Sequence, residues 1–212
     1  MKKILLPILV LTLCIAFMWK WTSGFKAFTV FSYTLKEAGE LPREFPDFSF
    51  INQDSVEFNL KNQQHFTLVN FVYLNCPNVC HKINNQLEEL YHSELSSLIP
   101  NQLEFVTVSF DLDNDNLRRI STYRNYFGDD LSGWNFALPI NNEQQNFNDF
   151  LQKMGVWAEP VPGKKIINHS TYIFLVSPDH KIVTTIDPII TSNEEIANIV
   201  RSWVNGEKIA SL

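Results

Sequence analysis

The most regular hydrophobic pattern in the chain spans residues 66–90, where a strand-like run is followed by a helix-like one. Residues 67–74 are almost continuously apolar, β-branched or aromatic, which is typical of a buried strand. The run ends at residues 75–77 (Asn-Cys-Pro), and apolar side chains then recur at helical spacing, at Val79, Ile83, Leu87 and Leu90. This order predicts a buried strand that enters a helix through a tight loop, which is the beginning of an α/β unit.

The same kinds of pattern predict the remaining elements of a mixed α/β domain. Predicted strands cover residues 48–50, 56–60, 103–110, 136–138, 172–176 and 182–186. Predicted helices cover residues 117–127, 143–154 and 192–204, the last with Ser192 as N-cap and Glu195 as its capping-box partner. Residues 156–168, which are rich in proline and glycine, are expected to form a long loop.

The order of these elements favours a thioredoxin-like α/β single domain, because strands and helices alternate first and a hairpin with a helix comes last. We place this domain at residues 45–212, after a linker at residues 25–44. The chain has 212 residues, which is enough for one ordinary domain and a short appendage.

The N-terminus carries a membrane-targeting pattern. Lys2 and Lys3 precede an apolar stretch of roughly 16 residues, and the next charge is Lys20. Only residues 22–24 approach a small-residue cleavage site, so we interpret residues 1–24 as an uncleaved signal-anchor, or transmembrane, helix; a cleaved signal peptide is the alternative. The flanking lysines favour a cytoplasmic N-terminus, so we expect a bacterial inner-membrane protein with its soluble domain in the periplasm.

The charge argues against one broad class of partner. Setting aside the three lysines that flank the apolar segment leaves 14 of the 17 basic residues against 23 acidic ones. Because nucleic-acid binding relies on Lys and Arg side chains that neutralise phosphates, we expect no nucleic-acid partner. An acidic domain is compatible with a bound cation or a basic partner protein.

Two of the three cysteines, Cys76 and Cys80, lie at the junction of the predicted strand and helix, whereas Cys14 lies in the apolar N-terminal segment. Four positions apart at a helix start, the pair can face the same side with their sulfur atoms close together. A structural disulfide is one interpretation, but a bridge across one helical turn constrains the unfolded chain little. Redox or metal chemistry is favoured, and the helix N-terminus is expected to lower the pKa of a thiol there.

A histidine close to this pair would indicate copper, because thiolates are soft ligands for Cu(I) and imidazole is a common third ligand. His169 ends the predicted loop and precedes a strand, so it can lie against the cysteine turn; a hydrogen-bonding role is the alternative. His81 follows Cys80 but points about 100° away around the helix, so it is at most an auxiliary ligand. The remaining histidines are expected on the surface: His65, His92 and His180.

Three segments resemble the Sco/SenC family of membrane-anchored copper proteins: NFVYLNCPNVCHK, VTVSFDLDNDN and NHSTYIFLVSPDHKIV. They occur in the order found in the family, and the similarity extends over residues 45–204. The resemblance implies a thioredoxin-like fold in which Cys76, Cys80 and His169 bind one copper ion, as Cu(I) or Cu(II). Asp111 matches an aspartate of the family. The departures from the family pattern remove no proposed ligand; they are His81, Leu112 and His180.

The resemblance also implies a function, namely a copper metallochaperone that acts in assembly of the dinuclear copper site of cytochrome c oxidase. The copper-site subunit of the oxidase would then be its partner. The alternative is a periplasmic thiol–disulfide oxidoreductase that uses Cys76 and Cys80 to reduce the copper-site cysteines of that partner. Against this as the sole activity, residues 169–171 (His-Ser-Thr) stand where thioredoxin-type oxidoreductases usually carry a cis-proline. Peroxidase activity is less favoured, because Tyr73 replaces the threonine of peroxiredoxin-like sites.

Overall fold

The computed structural model of the chain describes residues 2–22, 24, 29–77, 79–140 and 144–206. The helices within these residues are α1 (Lys2–Trp21), α2 (Val30–Glu37), α3 (Val79–Glu89), α4 (Leu117–Arg124), α5 (Gln144–Met154) and α6 (Asn193–Val204). The strands are β1 (Arg43–Glu44), β2 (Ser49–Asn52), β3 (Glu57–Asn59), β4 (Phe66–Val72), β5 (Leu103–Ser109), β6 (Trp134–Pro139), β7 (Ala158–Pro160), β8 (Ile167–His169), β9 (Ile173–Val176) and β10 (Lys181–Ile186).

Eight of these strands form one mixed sheet in the order β1-β10-β9-β4-β5-β6-β2-β3. Its centre is parallel, with β4 paired to β5 and β5 to β6, and antiparallel strands lie on both sides. Six of the seven residues of β4 are buried, as expected for a central strand that is covered on both faces. The carboxyl end of β4 therefore delivers the cysteine loop from the buried centre of the sheet.

Two hydrophobic clusters flank the sheet and give the domain three layers. Val69 and Phe71 of β4 belong to one cluster together with the buried phenylalanines of α5. Leu68 of β4 belongs to the other, with buried side chains of α3, α4 and α6. This alternation follows from the period of two along a strand, and it encloses β4 between helices on both faces.

A chain of buried polar side chains fixes α3 and α4 to the sheet. Asn70 of β4 donates to Asn84 of α3 at 2.9 Å and accepts from Thr107 of β5 at 2.7 Å. Asn84 in turn donates to the Tyr123 hydroxyl of α4 at 3.0 Å, and the Trp134 indole donates to Thr107 at 3.0 Å. Because each buried polar group has a partner, the network holds the helix that carries Cys80 in one orientation.

Most of the predicted elements are confirmed, and the cysteine-bearing strand, loop and helix lie within two residues of their expected bounds. The mixed α/β fold is confirmed as well, with β2 and β3 pairing as the first hairpin and β9 and β10 as the last. Ser192 caps α6, since its hydroxyl accepts the backbone N–H of Glu195 at 3.3 Å. The helix predicted from residue 143 is described from Gln144 onward; residue 143 itself lies outside the described residues.

The prediction that residues 156–168 form a loop without regular structure is wrong. Residues 158–160 and 167–169 pair as a separate two-stranded antiparallel sheet, with Ala158 opposite His169. The segment predicted as a linker also contains regular structure. There, α2 begins after a capping box at Thr29, and β1 adds an edge strand beside β10.

The N-terminal helix α1 runs from Lys2 to Trp21, and its large apolar side chains from Leu6 onward are exposed. Over the part of the chain that the structure describes, no helix combines the length and the apolar character needed to cross a membrane. The membrane anchor at residues 1–24 therefore stays a prediction.

Candidate metal site

Both cysteines of the predicted pair lie where β4 gives way to α3. Cys76 follows the strand in a turn closed by its backbone N–H, which donates to the Tyr73 carbonyl at 3.1 Å. Cys80 lies in the first turn of α3, and its backbone N–H donates to the Cys76 sulfur at 3.3 Å. The two side chains are 5% and 1% exposed, so their sulfur atoms are held in a largely dry environment.

The protonation of Cys80 differs from the prediction. A hydrogen bond to the Cys76 sulfur, followed by burial, raises the pKa of Cys80 well above its ordinary range. The expected lowering by the helix N-terminus does not dominate at this position, because the neighbouring sulfur holds the proton on Cys80. In the metal-free protein, Cys80 is therefore held as a neutral thiol at neutral pH.

His169 is placed beside these sulfur atoms by the end of β8. Its Nε2 atom lies 3.4 Å from the Cys80 sulfur. Its Nδ1 atom lies 2.8 Å from the carbonyl oxygen of Ser170. Since a carbonyl only accepts hydrogen bonds, Nδ1 must carry a proton, and Nε2 faces the Cys80 sulfur within hydrogen-bond distance. A hydrogen bond of this kind on the far ring nitrogen is how metal-binding histidines are commonly oriented.

The position of the His169 side chain is fixed by hydrogen bonds beside the β7–β8 sheet and by packing against two aromatic rings. Ser170 and Trp157 are joined by two hydrogen bonds, from the Ser170 backbone N–H to the Trp157 carbonyl at 2.9 Å and from the Trp157 backbone N–H to the Ser170 hydroxyl at 3.1 Å. The imidazole packs against Phe110, at a centroid distance of 5.0 Å, and edge-on against Tyr73 at 5.6 Å. Burial raises the pKa of Tyr73, so the phenol stays neutral beside the thiols.

Cys76, Cys80 and His169 form a group that could hold a metal ion, with their ligand atoms all within 4.8 Å of one another. A metal with bonds of about 2.3 Å separates three trigonal ligands by about 4 Å, so only small side-chain movements are needed to surround one ion. Two thiolates and one imidazole are a soft donor set that suits Cu(I) well. The chemistry of the donor set therefore fits copper.

An ion pair between the buried Asp115 and the partly exposed Arg119 lies behind the cysteine loop and was not predicted from the sequence. The Asp115 carboxylate accepts the backbone N–H of Leu74 at 3.0 Å and the Ser109 hydroxyl at 2.6 Å, and it lies 3.1 Å from an Arg119 guanidinium nitrogen. Arg119 also donates to the Asn75 side chain at 2.8 Å. Burial raises the pKa of Asp115, whereas the hydrogen bonds from Ser109 and Leu74 lower it. Together the pair fixes residues 74 and 75, which precede Cys76.

The other candidate ligands suggested by the sequence lie outside the group formed by Cys76, Cys80 and His169. Asp111 is buried, but its carboxylate accepts the side-chain amide of Asn114 at 2.8 Å and 3.0 Å, which is a local turn contact. His81 is exposed and lies 3.4 Å from the Tyr123 hydroxyl through Nδ1, consistent with its direction away from Cys80. His180 occupies a turn with φ of 62°.

The raised pKa of Cys80 predicts a pH dependence of metal binding. Binding must displace at least the Cys80 proton, so the apparent affinity should fall by about tenfold or more for each pH unit that the solution is made more acidic around neutrality. A competition titration against a Cu(I) chelator of known affinity at several pH values measures this slope. A slope of zero would contradict the assignment of Cys80 as a protonated ligand.

The same shift affects the stability of the metal-free protein. A pKa raised in the folded state means that the folded chain holds the proton more tightly than the unfolded chain. The stabilisation is therefore complete below the ordinary cysteine value of 9.0 and is lost progressively as the pH rises above it.

The chain is similar in sequence and fold to known proteins. The family model described as SCO1/SenC matches residues 36–205. No curated protein matches the chain. Among solved structures, the chain is similar to a SCO1/SenC family lipoprotein from Bacillus anthracis, with 21% identity and a TM-score of 0.67 over 76% of this chain and 95% of the other.

Two further structures that resemble this chain were determined with copper bound. One is ScoI of Arabidopsis thaliana, with 16% identity and a TM-score of 0.65 over 77% of this chain and 99% of the other. The other is yeast Sco1, with 19% identity and a TM-score of 0.65 over 80% of this chain and 92% of the other. At these identities the likeness establishes the fold.

Proposed function

The chain belongs to the SCO1/SenC family, and from that premise we propose that it is a membrane-anchored copper metallochaperone. Cys76, Cys80 and His169 together bind one copper ion, as Cu(I) or Cu(II). The observation that carries this proposal is the position of His169, because the hydrogen bond from its Nδ1 to the Ser170 carbonyl holds Nε2 3.4 Å from the Cys80 sulfur.

The three side chains have different tasks in this proposal. A bound Cu(I) ion would act as a soft Lewis acid, which prefers thiolate and imidazole donors. Cys80 gives up its proton on loading, and the proton goes to solvent. The Cys76 sulfur accepts the backbone N–H of Cys80, which stabilises negative charge on that sulfur. His169 is oriented by the hydrogen bond from its Nδ1 to the Ser170 carbonyl, which directs Nε2 to the cysteines. A disulfide between the cysteines would remove both thiolates, so loading requires the reduced pair.

We assign the recipient as the copper-site subunit of cytochrome c oxidase, with the chain acting in assembly of its dinuclear site. Structures from yeast and plant sources that the chain resembles have bound copper, and a similar protein from another species is described as a member of the Sco family of cytochrome c oxidase assembly proteins. The exposed apolar side chains of α1 support attachment to the bacterial inner membrane, with the domain in the periplasm.

A thiol–disulfide oxidoreductase is the second candidate, and the closeness of the two sulfur atoms favours it. Cys80 is hydrogen-bonded to Cys76, so the pair can close to a disulfide while it passes two electrons to a disulfide of the partner. His169 has no evident task in that reaction, whereas it supplies the third ligand in copper binding.

A transfer experiment distinguishes the two functions. The full chain in detergent micelles is reduced, loaded with one equivalent of Cu(I) and mixed with the reduced, metal-free copper-site subunit. We expect copper to appear in the subunit after the two proteins are separated, as measured by atomic absorption. The Cys76→Ser variant, which lacks one thiolate, is the matched control and should deliver none.

The second arm offers the metal-free reduced chain to the subunit with its copper-site cysteines joined as a disulfide. If this disulfide is reduced efficiently while no copper is delivered in the first arm, the oxidoreductase function replaces the metallochaperone function.

A further inference from the structure

Helix α2 packs against the metal site, although its first residues lie before the segment that matches the family model. The match begins at residue 36, whereas α2 begins at Val30. Phe31, in its first turn, lines a pocket of about 200 Å³ together with Cys76 and His169. Pro77, Val79, Ile166 and Ile167 complete most of its apolar lining. The aromatic ring thus forms one wall of the cavity that opens onto the proposed ligands.

Phe31 also contacts Trp157, which belongs to the segment that orients His169. Its ring lies 5.4 Å from that of Trp157, at an interplanar angle of 53°. Trp157 exchanges two hydrogen bonds with Ser170, and the Ser170 carbonyl accepts the Nδ1 proton of His169. One side chain of α2 is therefore in contact with both the metal pocket and the segment that orients its imidazole.

The remainder of α2 is held on the domain by close packing. Leu35 packs against the hydrophobic cluster that contains both cysteines. Gly155 faces it, and a Cβ atom on that glycine would lie 2.9 Å from the Leu35 Cα, so the close approach requires glycine. After the helix, Arg43 donates to the Gly39 carbonyl at 3.1 Å and to the Met154 carbonyl at 2.9 Å. These contacts keep Phe31 in place over the pocket.

We propose that Phe31 is a cover of the metal site that limits access of water, chelators and thiol reagents to Cys76 and Cys80. An apolar ring over a small cavity excludes solvent, and displacing it exposes apolar surface to water. Release of the bound ion then requires local opening of α2 or movement of the Phe31 ring. The copper part of this inference rests on the proposed function, whereas shielding of the thiols does not depend on any metal.

The test uses the full chain in detergent micelles in a Cys14→Ser background, so that only Cys76 and Cys80 remain to react. Metal-free, reduced protein is treated with iodoacetamide, and the alkylation rate is followed by mass spectrometry. Phe31→Ala should accelerate alkylation by about tenfold or more, and Phe31→Leu should give an intermediate rate. Tyr33→Ala is the matched control, because Tyr33 is an aromatic residue of the same helix that is 49% exposed; it should stay within about twofold of the parent.

The second measurement is the rate at which an excess of a Cu(I) chelator removes copper from the loaded protein. We expect the same order of rates, with Phe31→Ala fastest and the parent slowest. Equal rates for the parent, Phe31→Ala and Phe31→Leu in both measurements would overturn the inference, while copper binding that depends on His169 would leave the proposed function intact. If alkylation accelerates but no variant binds copper, the cover stands and the metallochaperone function fails.

Discussion

Replacement of His169 by alanine is expected to weaken Cu(I) binding by more than about 100-fold while the protein remains folded. Altering a residue that only orients a metal ligand commonly lowers affinity about 10- to 100-fold, so removal of the ligand itself should have a larger effect. His169 is only partly buried and lies at the end of β8 in the small β7–β8 sheet, outside the central sheet, so the fold should tolerate alanine. Competition with a Cu(I) chelator measures the affinity, and circular dichroism checks the fold.

His65→Ala is the control for this substitution. It removes another partly buried imidazole, but His65 precedes β4, at the end of the strand opposite to the cysteine loop. The control should bind copper as the unaltered chain does. Equal affinities for His169→Ala and His65→Ala would exclude His169 from the site.

Replacement of Asp115 by alanine is expected to destabilise the fold by about 2–4 kcal/mol and to weaken copper binding by about tenfold. The substitution leaves the Leu74 N–H and the Ser109 hydroxyl without their acceptor, and it removes the ion-pair partner of Arg119. Freed from this anchor, the segment before Cys76 should sample more conformations. Thermal unfolding measures the first effect and chelator competition the second.

Asp113→Ala is the matched control, since Asp113 is an exposed carboxylate two residues away in the same loop. It should change neither stability nor affinity appreciably. If Asp115→Ala loses stability but binds copper normally, the ion pair supports the fold without positioning the cysteine loop, and its assigned role is wrong.

The strand and the helix that carry the two cysteines were predictable from the sequence, because the hydrophobic patterns that specify them extend over only a few neighbouring residues. The apolar run that forms β4 and the helical spacing of Val79, Ile83 and Leu87 act over short stretches, and the structure follows them closely. The placement of Cys76 and Cys80 at the strand-to-helix junction follows from these two patterns. The pairing with His169, 89 residues later, depends on the tertiary fold, and the family resemblance pointed to it before the structure did.

The errors also have physical causes. Residues 156–168 contain Pro160, Pro162 and Gly163, which are typical of loops, yet Ala158–Pro160 pairs with Ile167–His169 and brings His169 to the cysteines. The direction of the Cys80 pKa was missed because the helix N-terminus was weighed without the hydrogen bond between its thiol and the neighbouring sulfur. Asp115 was passed over in favour of Asp111, since sequence alone does not show which of two nearby buried carboxylates binds the segment before Cys76.

The central claim is that two cysteine sulfurs and one histidine nitrogen hold the same copper ion. X-ray absorption at the copper edge, on the full chain loaded with one equivalent of Cu(I), tests it most directly. The proposed site predicts a nearest shell of two sulfur atoms and one nitrogen from Cys76, Cys80 and His169, and loss of the nitrogen in His169→Ala. A shell without sulfur, or a sulfur-only shell that is identical in both proteins, would contradict the account.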